Sequence, residues 1–163
     1  MSTIIDGPKN RHEEWHEGVT MAIYVNLSLL AVLLVIPENS EQSHIQLVVF
    51  ILATTIALLL AHQVAFRLSS KFVNRGEVHH NLSRLLLAQG AGAATAAALA
   101  SVPVLFFGVD GLWLSEALLL AFVCSIGFIA SRSGGASILR AIGYVAFLIV
   151  VVTAIIVFKI VAK

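Results

Sequence analysis

Five long apolar stretches, separated by short polar or glycine-containing breaks, constrain this chain more than any other feature. A helix that crosses a bilayer needs about 20 predominantly apolar residues. The stretches that meet this requirement cover about residues 19–36, 45–66, 85–107, 112–130 and 138–158. The sequence therefore predicts an all-α integral membrane protein, with five transmembrane helices forming one bundle over residues 19–163. A cytoplasmic amphipathic segment, residues 1–18, precedes this bundle.

The composition agrees with a membrane protein and excludes a nucleic-acid partner. Only 12% of the 163 residues are charged and the mean hydropathy is +0.96. The net charge of +1 provides no basic field for nucleic acid. The lipid bilayer is thus the expected partner. In composition the chain resembles small multi-pass bacterial membrane proteins, and this resemblance implies a plasma-membrane location in a bacterial cell.

The basic residues alternate along the chain in a way that predicts its orientation. Cytoplasmic loops of membrane proteins carry an excess of Lys and Arg. Here such residues occur in the N-terminal segment and in the second and fourth connections, whereas the first and third have none. The residues concerned are Lys9, Arg11, Arg67, Lys71, Arg75, Arg84, Arg132 and Arg140. The N-terminus is therefore predicted to be cytoplasmic and the C-terminus to lie outside.

Polar side chains within the predicted spans gather in the cytoplasmic half of the membrane. This layer comprises Asn26, His62, Gln63, Gln89, Ser125 and Tyr144. Ionisable and strongly polar residues are expensive inside a membrane, so they are functional candidates. Histidine changes charge near neutral pH, and His62 therefore suits a proton-linked site. Arg67 and Arg132 at the cytoplasmic mouth of this layer would favour anions.

The same polar side chains have a structural interpretation. Asn, Gln, His and Ser often join membrane helices through interhelical hydrogen bonds, and Ser and Thr also bond to carbonyls of their own helix. We favour this structural role for Asn26, Ser28, Ser125 and the threonines. For His62 and Gln63 the two interpretations have equal weight.

The third span contains the small-residue stretch AQGAGAATAAALAS. It includes three small-xxx-small pairs, which allow helix backbones to approach closely. The pairs are Gly90 and Ala94, Gly92 and Ala96, and Ala93 and Ala97. We expect a packing face inside the bundle, and a homo-oligomer interface is the alternative.

The segment His12-Glu13-Glu14-Trp15-His16 matches H-E-x-x-H, which on a helix can bind zinc. The predicted topology places His12 and His16 on the same side as His79 and His80, with Glu13, Glu17 and Glu77 near by. A metal or pH-sensing site is one interpretation of this group. We favour an interfacial amphipathic helix anchored by Trp15 over metal binding, and metal binding over proteolysis.

The functional expectation is a homo-oligomeric, ion- or proton-linked channel or carrier that uses the polar layer. The alternative is an accessory or assembly subunit, whose membrane-protein partners supply the chemistry. A metal-dependent hydrolase that uses HEEWH ranks third. We expect no enzymatic activity and no cofactor.

Overall fold

The computed structural model describes residues 8–36, 42–73, 82–135 and 137–161, and all regular structure in these ranges is helical. The α-helices are α1 (Pro8–Leu33), α2 (His44–Val73), α3 (Leu82–Phe107), α4 (Leu112–Ser133) and α5 (Ile138–Val161). A short 3-10 turn, Gly108–Gly111, joins α3 to α4. Each helix covers one of the predicted apolar stretches, and the all-α prediction is confirmed.

Three helical stretches of the described chain are long and apolar enough to cross a membrane. These are Trp15–Leu33, His44–Ser69 and Ser83–Ser133, and a shorter apolar stretch follows at Ile138–Ala154. The third stretch covers 51 residues and includes both α3 and α4. The fold is thus compatible with a membrane protein.

The chain reverses direction inside this 51-residue stretch. Ser115 on α4 donates a hydrogen bond of 2.7 Å from its hydroxyl to the carbonyl of Ala100 on α3. Fifteen residues of straight helix would separate these two residues by about 22 Å. The turn between them uses Gly108, whose φ of 61° favours glycine. It also uses Gly111, where a Cβ would overlap the carbonyl oxygen of Pro103. Helices α3 and α4 therefore form an antiparallel hairpin.

Neighbouring contacts fix the directions of the other helices. Gly18 lies against Ala88, and Ala22, four residues further along α1, lies against Gly92, four residues further along α3. Contacts that advance in the same direction on both helices show that α1 and α3 run parallel. His44, at the start of α2, lies against Gly108, just beyond the end of α3. Helix α5 packs along α4, with Tyr144 and Leu148 against Gly127, as expected for two neighbouring antiparallel helices. Consequently α1, α3 and α5 run one way, and α2 and α4 run the other way.

Helix α3 is the centre of the bundle and packs against α1, α2 and α4, whereas α5 packs against α4. A Cβ at Gly92 would overlap the carbonyl oxygen of Gly18, so the α1 and α3 backbones are in direct contact. Small residues on this side of α3 are buried: Ala93, Ala96, Ala97 and Ala100. The predicted intramolecular packing face is confirmed for the pairs that involve these residues. A Cβ added at Gly90 would meet no atom within 4 Å and Ala94 is exposed, so that pair lies outside this contact.

Helix α1 runs without a break from Pro8 to Leu33. Residues 8–18 of the predicted N-terminal segment therefore continue directly into the first apolar helix. The change from charged to apolar residues near Gly18 suggested a boundary at this point. The helix passes through because the chain has no proline there and Gly18 packs against Ala88. This continuity places Glu17 on the same rigid helix as Asn26.

Candidate functional site

A polar contact joins α1 to α3 at Glu17, about a third of the way along α1. The fully buried Gln89 donates a hydrogen bond from Nε2 to Oε2 of the half-buried Glu17, at 3.1 Å. The other polar atom of this carboxamide, Oε1, is buried without a hydrogen-bond partner. The close packing of Gly18 on Ala88 brings the two helices near enough for this contact. From the sequence, Gln89 belongs to the predicted polar layer, whereas Glu17 is grouped only with the N-terminal histidines.

Asn26 is fully buried on α1, and neither Nδ2 nor Oδ1 has a hydrogen-bond partner. The expectation that Asn26 joins two helices by a hydrogen bond is therefore wrong for the described structure. The reason is that burial of Asn26 comes from apolar packing of α1, with Val25 and Leu29 also fully buried beside it. An unpaired carboxamide in such surroundings is costly.

His62 lies at the contact between α1 and α2. Its ring centroid is 5.8 Å from that of Tyr24, with an angle of 37° between the planes. His62 and its neighbour Gln63 are half-buried, and Tyr24 is partly exposed. Tyr24 is seven residues beyond Glu17, about 10 Å further along α1. The structure thus brings His62 to α1 but separates it from the contact between Glu17 and Gln89.

The remaining predicted members of the layer lie on α4 and α5. Ser125 donates its hydroxyl to the carbonyl of Ala121 in its own helix, at 2.7 Å. Tyr144 is exposed on α5 and lies against Gly127, where a Cβ would be 3.1 Å from its ring. Within the described ranges, no hydrogen bond joins any two of the six predicted residues. The prediction that a serine hydroxyl bonds to a carbonyl of its own helix is confirmed for Ser125.

The two arginines of the predicted mouth are at the same end of the bundle as the start of α1. Arg67 lies near the end of α2 and Arg132 in the last turn of α4, and both are exposed. The antiparallel directions of α2 and α4 relative to α1 bring these ends together. The arrangement places positive charge near, but not inside, the α1–α3 contact.

The proposed histidine cluster is only partly within the described residues. His16 is exposed on α1. The structure does not describe the side chain of His12, and it describes no part of His79 or His80. Among the residues that the structure describes, no group of three or more His, Cys, Asp or Glu side chains is placed to hold a metal ion. The metal interpretation stays a prediction.

A cavity of about 380 Å³ lies between α1, α3 and α4, beside the contact between Glu17 and Gln89. Gly18 and Gly92, through which the two helix backbones touch, form part of its wall. Phe122 and Ile126 of α4 close the opposite wall. The described lining contains no ionisable side chain. The site therefore combines a polar pair at the helix contact with an adjacent apolar space.

No protein-family model, curated protein or solved structure matches this chain.

Proposed function

We propose that this protein is a small proton-linked carrier of the bacterial plasma membrane, in which all five helices cross the bilayer. The observation that carries this proposal is the contact between Glu17 and Gln89. It holds a carboxylate against a buried carboxamide at the contact of the two most closely packed helices. Glu17 lies at the edge of the apolar stretch, two residues beyond Trp15, and its partner Gln89 is fully buried, so the contact connects an ionisable group to the protein interior.

The lengths and surfaces of the helices support five crossings. The helices contain 22 to 30 residues, which corresponds to about 33 to 45 Å and exceeds the bilayer hydrocarbon thickness of roughly 30 Å. Large apolar side chains are exposed along α2 and α5, as lipid-facing residues would be. Examples are Phe50, Ile56, Leu60, Ile142 and Phe147.

The two tryptophans and the basic residues support a defined orientation. Trp15 near one end of the bundle is 73% exposed, and Trp113 near the other end is 68% exposed. Tryptophan is enriched at both membrane interfaces, so these residues suit the two headgroup regions. Arg67, Arg132 and the N-terminal basic residues share the end that contains Trp15. We propose that this end is cytoplasmic and that the C-terminus lies outside.

The chemistry of Gln89 suits a carboxyl group that gains and loses a proton. Nε2 donates a hydrogen bond to the ionised carboxylate of Glu17. Oε1, which has no partner in the structure, can accept a hydrogen bond from the protonated carboxyl group after the amide rotates. The pair can thus remain hydrogen-bonded in both protonation states. His62 of α2, whose ring lies against Tyr24 about 10 Å further along α1, is a second side chain that can carry a proton.

An alternating-access carrier fits the bundle better than an open channel. Beyond Asn26, the described interior is mainly apolar and includes Leu29, Leu33, Leu47 and Val104. The buried hydroxyls there, Thr55 and Ser115, donate to helix carbonyls and offer no polar path. The part-buried polar contact between Glu17 and Gln89 lies toward the other end of the bundle. Passage across the membrane therefore requires movement of helices, which the small residues between α1 and α3 would permit.

Homo-oligomer formation is part of the proposal. Gly90, Ala94 and Ala98 follow one another at intervals of four residues on α3. Ala94 and Ala98 are exposed, so this side of α3 is available to a second copy within the bilayer. The cysteine variant Ala94→Cys, made in a Cys124→Ser background, should form disulfide-linked dimers in membranes. Ile56→Cys, an exposed position on α2, serves as the control.

Transport is tested with purified protein in liposomes that contain a trapped pH-sensitive dye. We expect proton movement when a pH gradient is imposed together with a Na⁺, K⁺ or Cl⁻ gradient, and a large loss of this movement in His62→Ala. Flux that is the same in His62→Ala and wild type would remove His62 from the site. No flux under any gradient would favour the accessory-subunit alternative, for which a stoichiometric partner should co-purify from native membranes.

A further inference from the structure

The contact between Glu17 and Gln89 brings together groups that bind small cations. Gln89 is fully buried on α3 and donates a hydrogen bond from Nε2 to Oε2 of Glu17 on α1. A carboxamide is neutral, so this hydrogen bond does not balance the negative charge of the carboxylate. The oxygen of the same carboxamide, Oε1, is buried without a hydrogen-bond partner. The contact therefore joins a carboxylate to a buried oxygen that has a free lone pair.

The dimensions of the contact fit two oxygens that share one cation. Half a turn of the Gln89 carboxamide exchanges Nε2 and Oε1, which have nearly the same size and shape. Oε1 then takes the position of Nε2, 3.1 Å from Oε2 of Glu17. Ca²⁺, and Na⁺ with nearly the same radius, hold oxygen ligands at roughly 2.3–2.6 Å, so neighbouring ligands lie roughly 3–3.5 Å apart. The rotation adds no unpaired atom, because one end of the carboxamide is unpaired in either orientation.

Further oxygens are available at the same place. The carbonyl oxygen of Ala88, the neighbour of Gln89, lies against Gly18, the neighbour of Glu17. The missing side chain of Gly18 thus leaves this carbonyl facing α1 beside the carboxylate. Glu17 is half-buried, so water reaches its outer side and can complete the shell of a cation. The contact is therefore accessible from one end of the bundle.

The charge of the contact selects a monovalent cation. Divalent ions such as Ca²⁺ are usually held by several carboxylates. Glu17 supplies one, and among the described residues no group of three or more His, Cys, Asp or Glu side chains is placed to hold a metal ion. One Na⁺ neutralises a single carboxylate completely, as one proton does.

We propose that Glu17, Gln89 and the carbonyl of Ala88 bind one Na⁺, and that Na⁺ is the ion exchanged for the proton. This inference rests on the proposed carrier function, for which it names the cargo. The carboxyl group of Glu17 releases its proton when Na⁺ binds and takes up a proton when Na⁺ leaves, so charge is balanced in each exchange. Gln89 directs Oε1 toward either occupant and Nε2 toward the empty carboxylate.

The test measures binding of radioactive Na⁺ to the purified protein in detergent, without a membrane or a gradient. We expect saturable binding of one Na⁺ per chain, which unlabelled Na⁺ displaces and choline does not. Glu17→Gln keeps a hydrogen bond to Gln89 but removes the charge, so it should weaken Na⁺ binding at least about tenfold. Equal binding in Glu17→Gln and wild type would overturn the proposal.

Two matched substitutions test the buried oxygen of Gln89. Gln89→Leu and Asn26→Leu each replace a fully buried carboxamide by an apolar side chain, and Asn26 is about 13 Å beyond Glu17 along α1. Gln89→Leu should weaken Na⁺ binding about tenfold, whereas Asn26→Leu should bind like wild type. Equal binding in the two variants would overturn the role of Gln89. Helical circular dichroism and a single elution peak check folding, and Glu17→Gln remains decisive if Gln89→Leu does not fold.

Binding and transport together separate this inference from the proposed function. Absence of saturable Na⁺ binding, with proton flux that depends on Glu17 in liposomes, would overturn the Na⁺ site and leave the carrier. Saturable Na⁺ binding that depends on Glu17, without flux under any gradient, would support the site and contradict the carrier.

Discussion

Gln89, which is fully buried on α3, donates a hydrogen bond of 3.1 Å to the carboxylate of Glu17 on α1. The two residues are 72 positions apart in the sequence. They meet because α1 and α3 run parallel and touch through glycine and alanine backbones. The adjacent cavity is lined by both of these helices and by Phe122 and Ile126 of α4, so a polar contact and an apolar space lie side by side.

Two glycines on α3, two residues apart, should respond oppositely to substitution by alanine. A Cβ at Gly92 would overlap the carbonyl oxygen of Gly18, whereas a Cβ at Gly90 has no atom within 4 Å. Gly92→Ala should therefore separate α1 from α3 and lower the unfolding free energy by about 1 to 3 kcal/mol. Gly90→Ala should be neutral or raise it by up to about 1 kcal/mol through helix propensity. The unfolding free energy of each variant is measured in mixed micelles with increasing dodecyl sulfate. Equal unfolding free energies for Gly92→Ala and Gly90→Ala would contradict the α1–α3 contact.

Asn26→Leu should stabilise the protein. The carboxamide of Asn26 is buried without partners, and leucine has a similar size without the cost of burying polar atoms. We expect an increase of about 1 to 3 kcal/mol in the unfolding free energy, measured in the same mixed micelles. The matched variant Val25→Asn introduces a second carboxamide at a fully buried neighbour and should destabilise the protein. A loss of stability in Asn26→Leu would mean that Asn26 has partners in the folded protein.

The proposed orientation predicts which connections a membrane-impermeant maleimide can reach. Ser43 precedes α2 and Ser137 precedes α5, and both side chains are exposed. In a Cys124→Ser background, Ser43→Cys should react in intact cells, whereas Ser137→Cys should react only after the membrane is permeabilised. The reverse result would invert the orientation, and labelling of both in intact cells would contradict the proposed crossings between them.

Hydropathy predicted the helices well, because each apolar stretch is bounded by residues that a membrane excludes or that favour turns. The predicted stretch 112–130 corresponds to α4, Leu112–Ser133. The short break at Gly108–Gly111 is a true reversal, stabilised by the hydrogen bond from Ser115 to Ala100. The small residues of α3 also indicated its central position.

The polar site was less predictable, because side-chain pairing depends on how helices pack. Depth along each span placed Gln89 and His62 in one layer, yet depth does not give the direction in which a side chain points. Glu17 was separated from the first span because the charge pattern changes beside it. The spacing of Gly18 and Ala22 was the available signal, since small residues at this interval indicate a helix contact next to Glu17.

Proton flux through reconstituted Glu17→Gln tests the central claim most directly. Glutamine retains a hydrogen bond to Gln89 but cannot carry a proton, so the variant should fold normally and lose at least about tenfold in gradient-driven proton flux. Asp110→Asn removes an exposed carboxylate at the opposite end of the bundle and should keep the wild-type rate. Equal flux in wild type, Glu17→Gln and Asp110→Asn would contradict a proton-carrying role for the contact between Glu17 and Gln89.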